Sequence, residues 1–257
     1  MGHQAVICSA LENADNTVLV TLKNFHKGSG LILSRENSIK KLKSLGIKDA
    51  AELDFLKISK MLPEDYIKYL KSEFSPTLIV SGYNHTFGYN KGGNSKLLEV
   101  RQKKFGYRYI CVPPLTFEGE IVSSNLIKKY LKEGNTEKAA RMLGSNFTLE
   151  GIVISGQKLG RKLGFPTANI TYPDNIVKIP FGVYKVKVSD KPGVMNWGAR
   201  PTVKGTSEPV LEVHILDFDG NLYGKMIKIE VIKKIRDEEK FNSLEELKYR
   251  IGEDIKA

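Results

Sequence analysis

Apolar positions along the chain follow two rhythms, and the change between them falls near Gly144 to Phe147. Before it, continuous β-branched runs alternate with stretches of helical spacing. Thr17 to Leu22 (TVLVTL) reads as a buried strand, Leu53 to Ile58 as a second, and Thr77 to Ser81 as a third that meets Gly82 at once. Tyr107 to Val112 is extended. Ser38 to Leu45 reads as a helix capped by Ser38, Pro63 to Phe74 as a helix with proline at its first position, and Lys96 to Phe105 as another. Ser124 to Leu143 holds two short helices broken by Gly134. Strands alternating with helices predict a doubly wound α/β domain over residues 1–146. Beyond it come short strands with glycine and proline turns: Leu149 to Ser155, Gly182 to Val188, Val210 to Leu216 and Met226 to Ile235. They predict a small antiparallel β-barrel over residues 147–257, ended by a helix that Ser243 caps and Glu246 boxes.

Composition adds little to that division. A chain of 257 residues, 41% apolar and 27% charged, suffices for one or two ordinary cores. No apolar run approaches the roughly 20 residues needed to cross a bilayer, and no signal pattern opens the chain, so a cytoplasmic protein without a membrane partner is expected. Cys8 and Cys111 lie too far apart in sequence to suggest a disulfide framework or a zinc site. The net charge of +11 divides unevenly, with 22 basic against 14 acidic residues up to Asn146 and 18 against 15 beyond. Its lysines are interleaved with apolar and acidic residues, the pattern of solvated helix faces. Without an aromatic-rich RNA-binding strand or a basic recognition helix, the expected partners are phosphorylated small molecules and not nucleic acid. No feature of the pattern specifies an oligomeric state.

Candidate chemistry concentrates between Leu149 and Asn169. The run Ile152, Val153, Ile154 feeds a segment with Gly156, Gly160 and Gly164 at regular spacing, then Phe165, Pro166, Thr167, Ala168 and Asn169. Glycines let backbone N–H groups approach an anion, and Lys158, Arg161 and Lys162 add positive charge. Thr167 and Asn169 offer neutral oxygens two residues apart, suited to a hard cation such as Mg2+. The plain alternative is a glycine-rich turn leaving a strand, and no Walker A sequence is present. Glu212 alternates with Leu211 and Val213, so it faces away from them and could accept a proton from an attacking alcohol. His214 shares its parity and reads as a packing or supporting residue. Asn196, Arg200 and Thr202 occupy a turn-like segment where Arg200 could neutralise phosphate charge. Asp217 and Asp219 read as shaping a hairpin turn at Asp219-Gly220.

The run GRKLGFPTANI (160–170), FGVY (181–184), NWGARPT (196–202), LEVHILDFDGNLYG (211–224) and IRDEEKFNSLEELKYRI (235–251) resembles the riboflavin kinase domain in order and spacing. The resemblance implies ATP and riboflavin as substrates, FMN as product and Mg2+ held by Thr167 and Asn169. It further implies a phosphate loop of Gly156, Gly160, Arg161, Gly164, Pro166 and Thr167, with Glu212 as general base. Asn196, Arg200 and Thr202 would form a flap, and Arg236, Glu238 and Phe241 would lie beside the flavin.

The first half resembles the Rossmann-like adenylyltransferase domain of the bacterial bifunctional riboflavin kinase/FMN adenylyltransferases, with departures. Gly2-His3 matches the second half of a His-x-Gly-His motif. Gly82, Asn84, Phe87 and Gly88 match a Gly-x-Asp-Phe-x-Phe-Gly loop in which Asn84 and His85 replace aspartate and phenylalanine. Ser123, Ser124 and Lys128 match Ser-Ser-Thr-x-Ile-Arg, with Asn125 and Lys128 in place of threonine and arginine. His26 follows TVLVTL where the family carries Phe-x-Pro-His-Pro. Two expectations stay open: roughly twenty further residues carrying the first strand precede this sequence, or the domain has lost adenylyl transfer and serves as a scaffold. The functional expectation is a riboflavin kinase. The alternatives are a bifunctional enzyme that also makes FAD and a flavin-binding regulatory module without turnover.

Overall fold

The structure, a computed structural model, describes residues 2–23, 30–156, 159–201 and 207–257. They fall into two compact units, one of residues 1–28 and 35–123, the other of residues 29–34 and 124–257.

The first unit runs α1 (Gly2–Asn13), β1 (Val18–Lys23), α2 (Arg35–Ser44), β2 (Asp49–Asp54), α3 (Phe55–Ile58), α4 (Pro63–Phe74), β3 (Leu78–Gly82), β4 (Thr86–Phe87), β5 (Gly93–Asn94), α5 (Ser95–Phe105), β6 (Arg108–Val112), β7 (Thr116–Phe117) and β8 (Glu120–Ile121). Its α/β character and parallel strands are those expected. The parallel strands pair as two separate ladders, β1 with β2 and β3 with β6. Leu53, Ile58, Tyr66, Ile67, Phe87, Leu98 and Tyr107 make its core. Two local expectations are corrected. Ser38 caps nothing: α2 starts at Arg35, directly after Ser34, with Glu36 in the first turn where a carboxylate suits the helix dipole. Leu53 to Ile58 is no strand, because Asp54 ends β2 and its side chain accepts the Leu56 N–H, which starts α3.

The second unit runs α6 (Ser124–Lys132), α7 (Thr136–Leu143), β9 (Phe147–Ile154), α8 (Leu159–Leu163), β10 (Ala168–Ile170), β11 (Gly182–Val188), β12 (Lys191–Pro201), β13 (Ser207–Ile215), β14 (Met226–Arg236) and α9 (Leu244–Lys256). The strands close a barrel in the order β10, β13, β12, β11, β14, β9, every pairing antiparallel. Alternation along each strand turns Leu149, Tyr184, Met195, Trp197, Leu211, Val213 and Ile229 inward, all fully buried. The helices α6 and α7, placed before the boundary at Gly144 to Phe147 by the sequence, belong to the compact unit of the barrel. Ala139 and Met142 of α7 are fully buried, and Thr136 Oγ1 donates to the Ile232 carbonyl at 3.0 Å. Ser243 caps α9 as expected, accepting the Glu246 N–H at 3.1 Å, while the Glu246 carboxylate reaches back to the Asn242 N–H. Asp219-Gly220 is not a hairpin turn. Strands β13 and β14 are not neighbours, so the residues joining them form a longer connection across the barrel.

Candidate active site

The register of the barrel lines up three polar side chains. Asn169 stands opposite Glu212, and Glu212 stands opposite Asn196, so β10, β13 and β12 present one row on the outer face. Leu211, Val213, Met195 and Trp197, the sequence neighbours of that row, fill the interior. Asn169 faces outward and is still only 8% exposed, with Gly156 close against its side-chain amide.

The glycines of that segment are there for contact. A Cβ at Gly156 would overlap the Asn169 side-chain amide, and one at Gly160 would overlap the Phe165 carbonyl and stand 3.3 Å from Thr167 Oγ1. Gly156 thus backs Asn169, and Gly160 backs Thr167. Gly164 differs: its surroundings are open, but its φ of +92° is one that glycine tolerates best. The sequence reads the whole stretch as a loop, whereas Leu159–Leu163 is a single helical turn closed by the Phe165 N–H donating to the Gly160 carbonyl at 2.8 Å. Arg161 and Pro166 are exposed on it, and Lys158 lies outside the described residues. His214, outward like Glu212, puts Nδ1 2.8 Å from the Pro166 carbonyl, and its ring meets Phe165 edge-on, with centroids 5.6 Å apart.

On the other side of the row, a Cβ at Gly198 would collide with Glu238 Oε1, which places that carboxylate on β12 two residues from Asn196. Arg236 is engaged elsewhere. Its Nε and Nη2 donate to Asp254 at 2.9 and 2.7 Å, and the Phe241 ring lies 5.7 Å from the guanidinium carbon. With Asp254 4% and Arg236 11% exposed, this forked pair anchors α9. Asp254 carries no local signal in the sequence, being 18 residues from its partner. Arg200 continues β12 opposite Glu208, but its side chain and all of Thr202 lie outside the described residues.

Candidate donors for a divalent ion are the neutral side-chain oxygens of Thr167 and Asn169, with Asn169 opposite Glu212 in the ladder. Among the described residues no cluster of three or more His, Cys, Asp or Glu could chelate a metal independently. Such a sparse, hard donor set fits Mg2+, which keeps waters and takes other ligands from phosphates.

In the first unit, Gly2 and His3 open α1, and a Cβ at Gly2 would lie 3.6 Å from the Val122 carbonyl, one residue before Ser123. Gly82 ends β3 against Val6 of the same helix and the Asn84 side chain. Phe87 is core, its ring 5.2 Å from Tyr66 and 5.6 Å from His85, and burial holds the His85 imidazole below its ordinary pKa. Gly88 turns with φ +71° against Pro63. The segment 24–29, with His26, lies outside the described residues. In the second unit Ser124 starts α6, and Lys128, 7% exposed, borders an open cavity of about 340 Å³ with Asn125, Lys129, Lys132 and Glu133.

Comparison with known proteins matches residues 143–257 to the riboflavin kinase family (flavokinase) and residues 1–126 to the FAD synthetase family. The bifunctional riboflavin kinase/FMN adenylyltransferase of Bacillus subtilis is 32% identical over 274 aligned residues, covering 99% of this chain and 86% of that protein. The protein of that name from Buchnera aphidicola of Schizaphis graminum is 33% identical, covering 99% and 88%. A crystal structure from Streptococcus pneumoniae, described as a macrolide-efflux protein, matches with TM-score 0.87 at 28% identity over 99% of this chain and 88% of that one. Among the described residues of the present chain, no helix is long and apolar enough to cross a membrane. With family matches in both halves and relatives aligned over 99% of its length, the chain belongs to the bifunctional riboflavin kinase/FMN adenylyltransferase family.

Proposed function

We propose that the barrel unit transfers the γ-phosphoryl group of ATP to the 5′-hydroxyl of riboflavin, giving FMN and ADP. The observation that carries this reading is the row Asn169, Glu212, Asn196, with a glycine-backed loop on one side and the Glu238 carboxylate on the other. ATP takes the loop side, where Gly156 and Gly160 leave room for nothing larger and Arg161 supplies charge. Riboflavin takes the side of Asn196 and Glu238, so its hydroxyl and the γ-phosphorus meet over Glu212. The new O–P bond forms as the bond to the β,γ-bridging oxygen breaks, and ADP leaves. Glu212 accepts the hydroxyl proton and later passes it to water. Thr167 and Asn169 would hold Mg2+, which neutralises phosphate charge when bound.

A second reading, FMN adenylyl transfer by the first unit, is favoured by Gly2 and His3 at the start of a twelve-residue helix next to Val122. Incubation with riboflavin, ATP and Mg2+ followed by chromatography separates the two. An FMN peak supports the kinase, a later FAD peak supports the adenylyltransferase, and unchanged riboflavin overturns the first reading. Removal of Mg2+ by a chelator should abolish both products.

A further inference from the structure

We propose that His214 is a positioning residue for this phosphoryl transfer, its Nδ1–H holding the Phe165–Thr167 turn where the loop meets ATP. The inference rests on the kinase reading above. A carbonyl can only accept, so the 2.8 Å contact to Pro166 requires a proton on Nδ1. The bond joins the loop to β13, two residues beyond Glu212 and on the same outward face. Pro166 has no N–H, and the Phe165 N–H donates within the loop to Gly160. The Phe165 ring, edge-on to the imidazole at 85°, fixes the rotation of the same turn. Thr167 follows directly, its side chain against Gly160. The imidazole thereby ties the phosphate-binding turn to the strand carrying the base just ahead of the point, at Ala168, where the β10–β13 ladder begins.

Three substitutions test this. In His214→Asn the amide nitrogen takes the place of Nδ1, in His214→Gln that of Nε2, and His214→Leu keeps bulk alone. The expected result is a KM for ATP within about threefold of wild type for Asn and raised about tenfold for Gln and Leu, the weight of one neutral hydrogen bond, with the KM for riboflavin unchanged. A second readout needs no ligand: trypsin should cut after the exposed Arg161 or Lys162 faster in the Gln and Leu variants than in wild type or Asn. Rescue by Gln and not Asn, wild-type behaviour of Leu in both measurements, or a fall in kcat with the KM for ATP unchanged would each overturn the assignment. Wild-type protein that forms no FMN removes the kinase reading and this role with it, whereas the restraint on the turn stands or falls on proteolysis alone.

Discussion

The two units solve the problem of holding a site in opposite ways. In the barrel every strand has a hydrogen-bonded neighbour on each side, and the candidate site is one row of the ladder, with Asn169, Glu212 and Asn196 contributed by three adjacent strands. In the first unit the parallel strands stand as two pairs, β1 leaves Val18, Val20 and Leu22 exposed, and the matched motifs sit at a helix start and in turns. A site built on register inherits the rigidity of the sheet, whereas one built on loops and helix ends depends on each local contact. The barrel site can therefore be disabled chemically without being deformed.

The sharpest test of that contrast is Glu212→Gln, which should lower FMN formation by about two to four orders of magnitude with unfolding unchanged. Any FAD formation from supplied FMN should persist, and its parallel loss would show the units to be coupled. Next in size is Asp254→Ala, which leaves the Arg236 guanidinium buried without its forked partner. It should cost about 3 kcal/mol in urea unfolding of the barrel and leave the transition of the first unit in place. Gly156→Ala should act on one substrate only. The added methyl displaces the Asn169 side chain, so the KM for ATP should rise about tenfold, equivalent to roughly 1.4 kcal/mol, while that for riboflavin holds. The smallest effect is a pH dependence confined to the first unit. Burial favours the neutral form of His85, so the folded unit binds that proton less readily than the unfolded chain. Stability from this group is complete above the ordinary value of 6.5 and is lost as pH falls through the lower folded value. His85→Phe should remove that loss, and urea midpoints at pH 7.5 and 5.5 should converge in the variant and diverge in wild type.

The sequence disclosed the barrel more fully than the first unit because alternation is a strong local signal. The outward parity of Glu212 follows from Leu211 and Val213 alone, and the strands Gly182–Val188 and Met226–Arg236 lie close to where their apolar positions put them. Contacts between distant residues were hidden: the bond of His214 to Pro166, the cover of Gly198 by Glu238 and the Arg236–Asp254 pair all span segments with no shared periodicity. The helices α6 and α7 were legible as helices, but an amphipathic face does not name the unit it will join: α7 packs on β9 and β14, and α6 packs on α7. Asp219-Gly220 has the composition of a tight turn, yet strand order overrode composition there.

The outward row on β13 constrains how this protein can change over generations. Side chains on a strand alternate, so inserting or deleting one residue just before Leu211 would turn Glu212 into the apolar interior and swing His214 away from Pro166 in the same event. Descendant sequences are free to vary the lengths of their connections, but β13 must drift by substitution alone.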